Sequence, residues 1–139
     1  MTSHDTAAGT RVALVSGASR GIGRAIALSL AQAGHRIAIG YCSRSEAAQE
    51  TVQLIRSACP TLAESDQPFP VQLNVSRPED CVSAVERVQE RFGSLDILVN
   101  NAGIVSDGPA LGLEDEEWHK VLRTNLDGPF FLVRAAARS

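Results

Sequence analysis

The chain has 139 residues, a formal net charge of −3, 44% hydrophobic and 21% charged residues; that is length enough for one domain with a real core and an ordinary globular composition. The negative balance argues against a nucleic-acid-binding protein, which needs a basic field to meet phosphates. No apolar run approaches the roughly 18 residues of a membrane span, so neither partner is expected.

Met1 to Thr10 is polar, carries His4 and Asp5 and has no apolar h-region. It reads as a short flexible tail over residues 1–10, not as a secretory signal. Residues 11–139 read as one domain. Arg11-Val-Ala-Leu-Val-Ser16 is a short apolar run bounded by glycine, the pattern of a strand buried on both faces. A loop, Gly17 to Gly23, leads into a helix with Ile22, Ile26 and Leu30 on one side and Gly34 as its stop. Arg36 to Gly40 is a second strand. Ser45 is positioned to cap a second helix, which turns Ala48, Val52 and Ile55 inward and ends before Pro60.

Pro60 to Pro70 reads as an exposed loop, and Phe69 to Val75 contains a third strand. Ser76 and Glu79 have capping-box spacing, and Pro78 suits a helix start. Val82, Val85, Val88 and Phe92 mark the core face of that helix, which Gly93 stops. Leu95 to Val99 is a fourth strand. After a glycine-containing loop, Glu114-Asp-Glu-Glu117 places negative charge at a helix start, where the dipole favours it. The last helix runs through Trp118, Val121, Leu122 and Leu126, with a kink or break at Gly128-Pro129. Strands alternating with helices predict an α/β fold: a Rossmann-type, doubly wound parallel sheet of four strands in the order 3-2-1-4.

Gly17, Gly21 and Gly23 fall between a buried strand and a helix start. Dinucleotide sites need that arrangement, because backbone must approach a pyrophosphate while helix N–H groups meet its charge. The spacing is G-x-x-x-G-x-G, and a tight turn without a ligand is the alternative. At the end of the second strand, an acid would select NAD through the ribose 2′-OH. This chain instead has Tyr41-Cys-Ser-Arg44. Ser43, Arg44 and, from the glycine loop, Arg20 are able to bind a 2′-phosphate, or are solvated surface groups. Asn74-Val75 and Asn101-Ala-Gly-Ile104 follow strands three and four, where ligands bind in such sheets; Asn100 and Asn101 also suit turn formation. Asn125, seven residues after Trp118 and three after Leu122, is an amide on an apolar helix face. It needs partners, either strand-four backbone or site water. Cys42, Cys59 and Cys81 are scattered, as in a reduced cytoplasmic protein. His4, His35 and His119 lack metal-ligand spacing, so no metal is expected.

Taken in order, Ser16-Gly-Ala-Ser-Arg-Gly-Ile-Gly23, Asn74-Val75, Leu95-Asp-Ile-Leu-Val-Asn-Asn-Ala-Gly103 and Thr124-Asn-Leu126 resemble the short-chain dehydrogenase/reductase family, over Val12 to Ala137. The glycine loop and Arg44 region look most like its 3-oxoacyl-[acyl-carrier-protein] reductase branch, which works in fatty acid biosynthesis. The resemblance implies that Gly17, Ser19, Arg20, Gly21, Ile22 and Gly23 form the cofactor loop. It implies that Arg20 and Arg44 hold the 2′-phosphate of NADP(H), and that Asn74, where the family often has Asp, brackets adenine with Val75. Asn101, Ala102, Gly103 and Ile104 would line ribose and nicotinamide. Ser16 stands for the usual Thr and keeps its hydroxyl. Asn125 would be catalytic, supporting a water-mediated proton relay.

The family's mechanism also uses a Ser and a Tyr-x-x-x-Lys, the Tyr protonating the carbonyl as hydride arrives. Lys120 is the only lysine and Tyr41 the only tyrosine, and Ser45 stands four residues after Tyr41, so these residues hold no such pair. The expectation is therefore the cofactor-binding part of an NADPH-dependent carbonyl reductase, a homo-oligomer when complete, acting on a small-molecule or acyl-carrier-bound carbonyl. The alternative is a non-catalytic nucleotide-binding or interaction fragment from a truncated reading frame.

Overall fold

The structure is a computed structural model that describes residues 9–138; most of the expected tail, residues 1–8, lies outside the described residues, as does Ser139. In chain order come β1 (Val12–Val15), α1 (Gly21–Gln32), β2 (Arg36–Tyr41), α2 (Ser45–Ala58), β3 (Phe69–Gln72), α3 (Pro78–Phe92), β4 (Ile97–Val99), α4 (Asp115–Leu122) and α5 (Gly128–Ala137). Every strand pair is parallel and the sheet order is β3-β2-β1-β4. This is the doubly wound Rossmann-type α/β sheet, with its order reversing beside β1, where ligand crevices form.

The strand pleat explains the two cores. Val12 and Leu14 of β1 face α3 and α5 with Val71, Val85, Val88 and Leu132. Ala13 and Val15 point the opposite way, joining Ala27, Ile37, Ile39, Ala48, Val52 and Ile55 under α1 and α2. Successive side chains point to opposite faces, so a strand covered on both sides must be apolar throughout. Full burial of a residue such as Ile39 contributes about 1.5–3 kcal/mol. β3 is an edge strand, which is why Pro70 is tolerated within it opposite Ile39. β4 is tied to β1 by Asp96, whose carboxylate accepts from the Val12 N–H at 2.8 Å.

Several local readings need correction. Ser45 is the first residue of α2 rather than its cap; Arg44 occupies the cap position, with no side-chain capping bond. The box between Ser76 and Glu79 does not form. The Ser76 hydroxyl is engaged with Asn74 Oδ1 at 2.6 Å, and Arg77 caps α3 instead. Val82 is exposed, and the core face of α3 runs through Cys81, Ala84, Val85, Val88 and Phe92. Gly93 does stop α3, in the left-handed region at φ 85°.

The expected break before Gly128-Pro129 takes the form of a π turn over Arg123–Asp127, with Pro129 early in α5. A proline ring clashes with the carbonyl four residues back, here that of Asn125, so the helix widens there. A Cβ on Gly128 would lie 2.7 Å from Val75 Cγ2, so glycine lets α5 lie close against the loop after β3. Among the described residues no helix is long and apolar enough to cross a membrane.

Candidate functional site

A cleft of about 600 Å³ opens at the C-terminal ends of the four strands. Gly17, Ser19, Arg20, Gly21 and Ile22 form one wall; Ser43 and Arg44 a second; Asn74 and Val75 a third. Asn101, Ala102, Gly103 and Ile104 form the floor between them. The sequence singled out all of these. Gly23, the remaining member of the glycine trio, packs beneath the loop. A Cβ there would collide with the Gly17 carbonyl and with Asn101 Nδ2. Gly17 itself sits at φ 63°, with an added Cβ 2.9 Å from Ala102 Cα.

Hydrogen bonds tie wall to floor. The Ser16 hydroxyl accepts from the Asn101 and Ala102 N–H groups at 3.0 Å each and donates to Val99 O at 3.3 Å. Asn101 Nδ2 donates to Gly17 O at 3.0 Å and Ser16 O at 3.2 Å. The side chain of Asn101 therefore fixes the glycine loop, while its backbone lines the cleft. Asn125 was expected to be buried, but in the π turn it is exposed, and it is not among the residues that line the cleft. There it accepts from Ile104 N–H at 2.8 Å and donates to Ile104 O at 2.7 Å. Gly103 makes room for it, since a Cβ there would lie 3.3 Å from Asn125 Oδ1.

The charge pattern of the cleft is one-sided. Arg20, Arg44, Lys120 and Arg123 line it, and among the described residues no Asp or Glu does, although the chain as a whole is acidic. Arg20 and Arg44 stand at the N-caps of α1 and α2. A cation there opposes the helix dipole, and cap positions prefer Ser, Thr, Asp or Asn. At α3 the same anomaly is neutralised locally: Arg77 pairs with Glu79 at 3.1 Å. The hydrogen bond of its own N–H and the Arg77 partner hold the Glu79 carboxyl below its ordinary range. Among the described residues no ion pair does the same for Arg20 or Arg44. Two helix N-termini, each with an uncompensated arginine, thus converge on one cleft, which is an arrangement suited to an anion.

Sequence reasoning missed the fourth wall, Lys120, Arg123 and Thr124. They stand at i, i+3 and i+4 and so share one helix face, but only the path of the loop before α4 brings them over the cleft. Arg123 Nε donates to Ser76 O at 3.1 Å, closing that wall against the loop after β3. Tyr41 packs with the α1 and α2 core instead of lining the cleft. Among the described residues no group of three or more His, Cys, Asp or Glu is placed to hold a metal ion.

The profile of the short chain dehydrogenase family matches residues 11–139. The chain belongs to that family. It is 41% identical over 127 residues to a 3-oxoacyl-[acyl-carrier-protein] reductase of Staphylococcus aureus, covering 91% of this chain and 49% of that protein. Versicolorin reductase of Emericella nidulans is 38% identical over 128 residues, covering 92% and 46%. Among solved structures, a short chain dehydrogenase from Burkholderia cenocepacia in complex with NADP superposes with a TM-score of 0.83 at 40% identity, covering 93% of this chain and 50% of that one. The chain spans about half the length of the curated relatives it matches.

Proposed function

We propose that residues 11–139 are the cofactor-binding part of an NADP(H)-dependent carbonyl reductase, with a 3-oxoacyl thioester or similar carbonyl as substrate. The observation that carries this reading is the convergence of two arginine-capped helix N-termini on a cleft that no acidic side chain lines among the described residues. The cleft volume suits a nucleotide ligand. The similarity to a 3-oxoacyl reductase and to a short chain dehydrogenase solved with NADP supports it.

In this reading Arg44, Ser43 and Arg20 hold the 2′-phosphate. Gly17, Ser19, Gly21 and Ile22 bring backbone and the N-terminus of α1 to the pyrophosphate, with Gly23 setting the loop close to the floor. Asn74 and Val75 bracket adenine; Asn101, Ala102, Gly103 and Ile104 run along ribose and nicotinamide. Bound NADPH supplies hydride to a carbonyl carbon. The chain's own residues bind and orient it, and Asn125, bonded to the backbone of the lining residue Ile104, supports a water of the proton relay. Neither Tyr41 nor Lys120 has Tyr-x-x-x-Lys spacing, so the proton donor is assigned to sequence outside these residues. The exposed Trp118, Phe130 and Val133 support the homo-oligomer, and three unpaired thiols support a cytoplasmic setting.

The test is to add NADPH to the purified 139-residue protein and then an acetoacetyl thioester. Binding without loss of nicotinamide absorbance is expected. Absence of NADPH binding contradicts the cofactor reading; steady NADPH oxidation contradicts the assignment of the proton donor.

A further inference from the structure

We propose that Arg24 and Thr51 are positioning residues that aim the glycine-loop amides at the cofactor's phosphates, an inference that rests on the cleft taking NADP(H). Neither side chain lines the cleft, and both sit behind it, between α1 and α2. Thr51 is fully buried. Its hydroxyl accepts from Arg24 Nε at 2.9 Å, which leaves its own proton for Ala18 O at 2.9 Å in preference to Ala47 O at 3.3 Å. Arg24 Nη2 donates to Ser19 O at 2.6 Å and to Ala47 O at 3.0 Å. Two consecutive carbonyls of the glycine loop are therefore held, Ala18 O by Thr51 of α2 and Ser19 O by Arg24 of α1, which is itself anchored on α2 through Thr51 and Ala47.

A peptide unit is planar and trans, so its N–H points opposite to its C=O. Holding Ala18 O on Thr51 and Ser19 O on Arg24 turns the Ser19 and Arg20 N–H groups the other way. Ser19 and Arg20 line the cleft. The carbonyls, which would repel an anion, are thereby removed from it and satisfied. The clamp also has a second consequence. Arg44 stands at the N-cap of α2, about two turns before Thr51. α2 thus places the arginine for the 2′-phosphate and, through Thr51 and its bond to Arg24 of α1, takes part in orienting the loop for the pyrophosphate. Glu50 Oε2 also meets Arg24 Nη2, at 3.2 Å, but its side chain is 69% exposed, and such pairs contribute little.

Thr51→Val keeps the shape of the side chain and removes the hydroxyl, leaving Ala18 O and Arg24 Nε without their partner. In amide NMR spectra of the free protein, the Ser19 and Arg20 signals of this variant are expected to shift and broaden, while Leu98 in β4 stays in place. NADPH affinity should fall about tenfold. Thr51→Ser should restore both, and Glu50→Gln should change neither beyond about twofold. Arg24→Met is the second variant, with the same expectation, should Thr51→Val fold poorly. Unmoved Ser19 and Arg20 signals, or wild-type NADPH affinity in both variants, overturn the positioning role. A wild-type protein that does not bind NADPH overturns the cofactor reading instead, and the spectra of the free variants still decide whether the clamp orients the loop.

Discussion

The two flanks of the sheet are held by different forces. On the β2 side, α1 and α2 cover strands whose side chains are almost completely buried, and Ala27, Ala48, Val52 and Ile55 fill the space between. On the β4 side no residue of α4 is buried, and Trp118 and Leu126 are 53% and 65% exposed. The segment up to α5 is located by hydrogen bonds of Asn125 to Ile104 and of Arg123 to Ser76, before the close approach of Gly128 to Val75 and the burial of Leu132 anchor α5. Apolar burial fixes the loops that would meet phosphates. A few hydrogen bonds fix the segment that would meet the reacting end of a cofactor.

The contrast is sharpest for single truncations. Ile39→Ala, in the middle of the buried flank, is expected to cost about 2–5 kcal/mol in urea unfolding, because the site cannot collapse around the lost atoms. Gly23→Ala drives a methyl group into Gly17 and Asn101 and should cost about 1–3 kcal/mol while weakening NADPH binding. Asn125→Ala should cost about 1 kcal/mol, with amide shifts confined to the segment around Ile104. Leu126→Ala, on the open flank, should stay within about 0.5 kcal/mol. A loss at Leu126 as large as that at Ile39 would abolish the distinction.

The core on the other face of the sheet, under α3 and α5, has a pH signature. Burial, with Asp80 and Glu79 adding to it, pushes the Cys81 thiol from its ordinary 9.0 to about 11. A raised folded-state value means stability that is complete below pH 9 and declines as pH rises toward 11. Cys81→Ala should flatten that decline in unfolding curves taken across the window. Cys42, exposed at the cleft, should be alkylated well before Cys81 in the folded protein.

The strands and their order were legible because runs such as Val12–Val15 and Ile37–Ile39 are apolar on both faces and alternate with helical periodicity. The α3 face was misread because it is built partly on Cys81 and Ala84, small residues that the larger Val82 outweighs in a hydrophobic pattern. The Ser76 cap failed because Asn74 competes for the same hydroxyl and amide at close range. In the site, the residues on strand ends and the glycine loop could be placed from sequence, since the topology puts all strand termini at one edge. Lys120 and Arg123 could not, because their approach depends on the return of a long loop. The Arg24–Thr51 clamp joins two helices through side chains that carry no motif.

The most direct test of the account is a calorimetric titration of the 139-residue protein with NADPH and NADH, repeated for Arg44→Leu. If the arginine-capped cleft recognises a 2′-phosphate, NADPH binds at least about tenfold more tightly than NADH, and Arg44→Leu removes most of that difference while leaving NADH nearly unchanged. Equal affinities in the wild-type protein, or a preference that survives Arg44→Leu, would contradict it.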